Sequence, residues 1–383
     1  MRVVWAVLLL GACLAVPAQA GTAVRVLPGA PSCGGQALLV TTGHRSCVHA
    51  DAYDVASSAR WRAVPPATAP VRCYGDGTTG SRVQLLYGYV AGHPDNGAAV
   101  VRKLRLTTAP RMQAVIDAQS GAKDLGIRFA FSPGCAGLSV PTVRLPASAD
   151  KGTPEERFGV IIETLRGLGY TRTDRKYQVV FEGFTANGVC GLGELAASMD
   201  QQHPANLHDG VPTVGARTDV LSTVGAPEPV EVPRYSVVFR STYGPRGPSC
   251  WELGQSHASV YVHELFHTLG AVQLSAPHSD GGGHCTDTPS VMCPSRGKPA
   301  VRACATQRVE VLDCGMDDYW NPAPAAGSYL AGADDVATSV FFGPQPQDRL
   351  AGNCGTNSGT RSQTAGSMLT AQQPQDRLAA SPV

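Results

Sequence analysis

The sequence predicts an α+β fold built on a mixed sheet, and three observations carry that prediction. Strand-like and helix-like stretches alternate between Ser81 and Arg240, which asks for helices packed on a sheet. Gly 43 and Pro 29 among 383 residues, with 16% charged, describe a loop-rich chain rather than a helical bundle. Twelve cysteines then offer the staples that such a chain needs.

The elements follow in chain order. Residues 21–72 are rich in Gly, Pro, Ala and Ser and show one short apolar run, Ala37-Leu38-Leu39-Val40, so they read as a propeptide or an extended N-terminal lead. Residues 73–342 read as the folded domain. Arg82–Val90 alternates as a strand does, and Pro110–Asp124 carries Met112, Val115 and Ile116 at helical spacing. Strands are expected over Ile127–Phe131 and Thr142–Leu145. The clearest helix is Pro154–Gly167: Thr153 is its N-cap, Pro154 its first residue and Glu156 the capping-box partner, with Phe158, Ile161, Ile162 and Leu165 on the buried face. Lys176–Phe181 and Ser236–Arg240 read as strands, and Asn187-Gly188 as a hairpin turn. Residues 343–383 lack aromatics and read as a disordered low-complexity tail, in which Gln345–Ala351 recurs as Gln373–Ala379.

Charge and targeting narrow the function. Lys+Arg at 31 against Asp+Glu at 30 leaves no footprint for nucleic acid or an anionic membrane. Residues 1–20 have one basic residue (Arg2), an apolar run from Val3 to Val16 and Ala18-Gln19-Ala20, the parts of a signal peptide cleaved after Ala20. Lipidation at Cys13, behind Leu10-Gly11-Ala12, is the alternative. The run falls short of the ~18 to 20 residues that span a bilayer, so no membrane span is expected. Export puts eleven remaining cysteines in an oxidising compartment. Close spacing suggests Cys33 with Cys47, Cys285 with Cys293 and Cys304 with Cys314; Cys73, Cys135, Cys190 and Cys250 make two longer links, and Cys354 is left over.

The stretch with chemistry in it is His263-Glu264-Leu265-Phe266-His267 in an apolar helical setting. Histidines at i and i+4 share one helix face about 6 Å apart, which suits two positions on a tetrahedral Zn²⁺. Glu264 stands beside that face, placed to accept a proton from water that the metal acidifies. Gly270 lets the helix stop sharply.

With Gly270 and Ser290-Val291-Met292-Cys293, this stretch resembles the metzincin clan of zinc endopeptidases. His284-Cys285-Thr286-Asp287 and Leu312-Asp313-Cys314 through Asp317-Asp318-Tyr319-Trp320-Asn321-Pro322 resemble a group of secreted bacterial metzincin-like proteins. The resemblance implies a twisted mixed sheet, a long active-site helix and a loop-rich C-terminal part stapled by disulfides. It also implies Met292 on a turn beneath the metal; the Cys285–Cys293 pair suggested by spacing would bridge the loop carrying His284 to that turn. Two positions depart from it. The usual third-ligand position is Gln273, a poor zinc ligand, and a tyrosine expected after the turn methionine is Pro294. The third ligand is therefore assigned to His278, with His284 as the rival and Asp280 and Asp287 behind it. Asp317 and Asp318 read as paired carboxylates, a helix start or a calcium-supporting turn.

The function expected is a secreted, monomeric zinc endopeptidase acting on protein or peptide substrates, with Glu264 as general base. The alternative is a secreted disulfide-rich binding protein that keeps the fold without turnover.

Overall fold

The computed structural model describes residues 24–52 (apart from 31, 32, 34, 35 and 43), 71–183 (apart from 93 and 94), 189–195, 233–240, 250–251, 259–293 (apart from 274 and 289), 302–303, 311–344 (apart from 333 and 334) and 348. It is an α+β structure around an eight-stranded mixed sheet, with strand order β1-β2-β3-β8-β9-β7-β4-β6. The strands are β1 Arg25–Leu27, β2 Ala37–Thr41, β3 His44–Ala52, β4 Arg82–Val90, β5 Gly126–Ile127, β6 Thr142–Leu145, β7 Arg175–Phe181, β8 Val189–Glu194 and β9 Arg234–Phe239; β5 lies outside this sheet. β4, β6, β7 and β9 run parallel, while β8 runs antiparallel to both β9 and β3. The middle strands β7 and β9 are buried at every position, as parallel strands covered on both faces must be.

Alternate residues of the sheet feed two cores. On one face Leu86, Val179, Val237 and Leu192 pack with Phe158, Ile161, Ile162 and Leu165 of a helix at Pro154–Gly167. Its capping box is complete: Glu156 N–H donates to Thr153 Oγ1 at 3.2 Å and Thr153 N–H to Glu156 Oε2 at 2.8 Å. On the other face Leu85, Val180 and Val238 pack with Met112, Val115 and Ile116 and with Val262, Leu265 and Phe266. Those last three belong to the helix Ser259–Thr268, which carries the histidine motif.

Four segments differ from the sequence expectation. The helical run begins earlier, as Gly97–Lys103, a π-type stretch Leu104–Thr108 and then Ala109–Asp117, because Val100, Leu104 and Thr108 continue one buried stripe through a charged surface. The expected strand Ile127–Phe131 shrinks to β5, paired with Phe342–Gly343, followed by single bridges at Phe129 and Phe131. The N-terminal lead supplies β1, β2 and β3, which join the sheet through β8. At the C-terminus, Phe342–Gly343 is paired, and Asp348 forms an ion pair with the buried Arg128. The signal-like residues 1–20, the Asn187-Gly188 turn and the second Gln373–Ala379 repeat lie outside the described residues.

Disulfides join Cys33 to Cys47, Cys73 to Cys135, Cys190 to Cys250 and Cys285 to Cys293. Two of these are the short pairs expected, and the other two resolve the longer links. Cys314 is also disulfide-bonded, whereas Cys304 and Cys354 are outside the described residues. No described helix is long and apolar enough to cross a membrane.

Candidate metal centre

The helix Ser259–Thr268 buries its apolar side chains against β8, β9 and β7 and turns His263 and His267 to one place. It stops as expected: Gly270 adopts φ +79°, which a side chain would resist, and Ala271 N–H donates to Phe266 O at 3.1 Å. Gln273, buried at the usual third-ligand position, donates its amide N–H back to the Gly270 carbonyl. Its side chain serves the helix end.

His263 Nε2 lies 3.1 Å from His267 Nε2 and 3.2 Å from His284 Nε2. The His263 and His284 rings are stacked at 19°, and His267 stands nearly perpendicular to both. His263 Nδ1 donates to Val291 O at 2.6 Å, since a carbonyl can only accept; in the neutral ring this leaves Nε2 with the lone pair. One lone pair faces two more imidazole nitrogens within hydrogen-bond distance, an arrangement that a shared cation satisfies. These three side chains, 0–1% exposed, could hold a metal ion.

The sequence expectation of His278 as the third member is therefore revised: the structure brings His284 to His263 and His267. The reason is local. Ser279 pairs with Cys285, with Thr286 N–H on His278 O at 2.9 Å and Asp280 N–H on His284 O at 2.8 Å, so residues 278–286 form a small hairpin. Asp280 Oδ1 makes its turn by accepting from Gly282 N–H and His284 N–H. The strand after His284 is clamped to the Met292 turn, through Cys285 N–H on Met292 O at 3.0 Å and through the Cys285–Cys293 disulfide. Val291, whose carbonyl orients His263, belongs to the same turn. Met292 itself is fully buried, its N–H donating to Tyr319 Oη at 3.2 Å.

His278 is held elsewhere. Its N–H donates to Asp318 Oδ1 at 2.8 Å, and its Nδ1 stands 3.2 Å from Asp318, 3.4 Å from Asp287 and 3.9 Å from Asp317. These four side chains form a second group of metal-ligating type. Burial pushes the Asp318 carboxyl up to about 6, its backbone hydrogen bond from His278 opposing. Asp313 builds the loop below, accepting from the N–H groups of Asp318, Tyr319 and Trp320 at 2.8 to 3.0 Å.

Glu264 is 1% exposed and lies against β8. A Cβ on Gly191 would overlap its carboxylate, and one on Gly193 would come within 2.7 Å of both Glu264 O and His267 Cβ. Gly191 and Gly193 thus let the helix approach the sheet closely enough to seat Glu264 and His267. Sequence reading missed both, although glycines at alternate positions in a strand signal a close approach. No protein-family model matches the chain, and no curated protein matches it in sequence.

Proposed function

We propose that the chain is a secreted zinc-dependent endopeptidase. The observation that carries the reading is the convergence of three imidazole Nε2 atoms beside a glutamate on the same helix. Two nitrogens at 2.0–2.1 Å from a tetrahedral ion are about 3.3 Å apart, close to the 3.1 and 3.2 Å found around His263. A nitrogen-only set of neutral imidazoles suits zinc better than the oxygen-seeking Ca²⁺ or Mg²⁺, and three protein ligands leave a fourth position open. Zinc held there would polarise a peptide carbonyl and bring the pKa of water near 7.

The protein's own part falls to Glu264. As a carboxylate it takes a proton from the attacking water and passes it to the leaving amine. The Gly191 gap fixes where that carboxylate stands. His263 is held in the ligand tautomer by the Val291 carbonyl, and the backbone beside His284 is fastened by the Cys285–Cys293 link. Export through residues 1–20 agrees with the disulfides.

Glu264→Gln is the direct test. The variant should keep one zinc per molecule and lose hydrolysis of a denatured protein by about three orders of magnitude or more, since the carboxylate is a base and not a ligand. Wild-type turnover in Glu264→Gln would remove the mechanism; zinc binding without hydrolysis in either protein would favour the binding-protein reading.

A further inference from the structure

Three buried arginines, Arg82, Arg128 and Arg175, surround the loop of residues 74–81. Backbone carbonyls hold each of them. Arg82 donates to Tyr74 O at 2.7 Å, Thr79 O at 2.9 Å and Phe129 O at 3.1 Å, Arg128 donates to Ser81 O at 3.2 Å, and Arg175 donates to Thr78 O and Gly80 O, both at 2.6 Å. Carbonyls satisfy donors but do not neutralise charge. Burial lowers Arg82 to about 10, and the Arg128 charge adds to the fall.

Carboxylates must supply the balance, and they differ in place. Asp174 pairs with Arg175 at 3.1 Å from a half-buried position. Asp76 stands 3.6 Å from Arg82, is 44% exposed and already accepts from the N–H groups of Thr78 and Thr79. The carboxylate that reaches Arg128 is Asp348, 8% exposed and 220 residues further along the chain. Gly75, at φ +59°, makes room for it: a Cβ there would stand 3.2 Å from Asp348 Oδ1 and 3.7 Å from Arg82 Nη2.

Asp348 is the fourth residue of Gln345–Ala351, and the same seven residues return as Gln373–Ala379 with Asp376 in the fourth place. One recess thus faces two identical segments of one chain. The tail leaves the body beside that recess, since Phe342 pairs with Ile127 and Arg128 N–H donates to Phe341 O at 2.9 Å. The entropy of closing a loop grows only with the logarithm of its length. Asp376 lies 28 residues after Asp348, which puts the second segment on the order of tenfold behind the first, at an effective concentration of roughly a millimolar.

We propose that the recess at Gly75, Arg82 and Arg128 is a docking site for the repeated segment, and that Gln373–Ala379 of the same chain enters it through Asp376 whenever Gln345–Ala351 leaves. Arg128 keeps a counter-charge through the exchange, where a buried guanidinium left alone would be costly. Neither zinc nor turnover enters this exchange.

The test titrates a fluorescent heptapeptide, Gln-Pro-Gln-Asp-Arg-Leu-Ala, against the full chain, Asp348→Asn, Asp376→Asn and the double variant, reading anisotropy. The double variant offers an open recess and should bind the peptide tightest. Asp348→Asn should bind it at least about fivefold more weakly, because the second segment competes from within; the full chain and Asp376→Asn should be weaker again. Equal affinity in Asp348→Asn and the double variant would overturn the exchange, and a peptide that binds none of the four chains would overturn the docking site. Arg128→Gln in the double variant should abolish binding, and retained binding there would also overturn it. Should that variant fail to fold, the peptide with asparagine in place of its aspartate leaves the body untouched: it should bind the double variant at least about tenfold more weakly than the aspartate peptide, and equal binding overturns the proposal. An Asp348→Asn chain that sediments as a concentration-dependent dimer, and returns to monomer when Asp376→Asn is added, would place the second segment in a neighbouring copy and overturn the same-chain occupant.

Discussion

His284 and His278 stand six residues apart on one hairpin and end in opposite environments. His284 meets two other imidazoles nitrogen to nitrogen, fully buried, beside a turn locked by a disulfide. His278 joins three carboxylates, half-buried, on the loop that Asp313 organises. The difference teaches that residue type offers a ligand while the backbone chooses it: whichever histidine is fastened to the Met292 turn meets His263. It also separates two chemistries, a nitrogen set suited to zinc and an oxygen-rich set in which one imidazole can share its proton with a carboxylate.

The largest expected effect breaks that comparison directly. His284→Ala should weaken zinc binding on the order of a thousandfold, as should His263→Ala and His267→Ala, because two imidazoles hold the ion poorly. His278→Ala should leave zinc stoichiometry at one. Competition with a chromophoric chelator measures all four, and a site emptied by His278→Ala but filled in His284→Ala would reverse the assignment.

Why the sequence could not choose between the two histidines follows from the same hairpin. The i, i+4 pair His263 and His267 was legible because one helix sets their spacing, and Thr153 with Glu156 marked the other long helix for the same local reason. The third ligand depends on the Ser279–Cys285 bridge and on the Cys285–Cys293 link, which are set in tertiary structure. The lead was unreadable for a different cause. Its strand β3, His-Arg-Ser-Cys-Val-His-Ala-Asp-Ala, has no clean apolar alternation, and it gains its place by pairing with β8 over a hundred residues away.

A smaller effect sharpens the comparison at its catalytic side. Gly191→Ala would push a methyl group into the Glu264 carboxylate, whose atoms are the nearest to it. Zinc should remain bound, stability should fall by about 1–3 kcal/mol from the overpacking, and hydrolysis should fall by about tenfold or more as the base is displaced. Paired denaturation and activity measurements check this. Full activity in Gly191→Ala would mean that the carboxylate works from another position.

The smallest effect belongs to the carboxylate side. Burial raises Asp318 to about 6 from 3.8, so the folded state binds its proton more tightly than the unfolded chain does. The stability this gives is full below about pH 4 and is lost as the pH rises through about 6, with an upper bound of about 3 kcal/mol. Asp318→Asn, which keeps an acceptor for the His278 N–H, removes that loss. Its stability relative to wild type should therefore rise steadily between pH 4 and 7 and level off above. Denaturant midpoints measured across this range decide it. A constant difference between the two proteins would show that Asp318 stays ionised in the fold across this range.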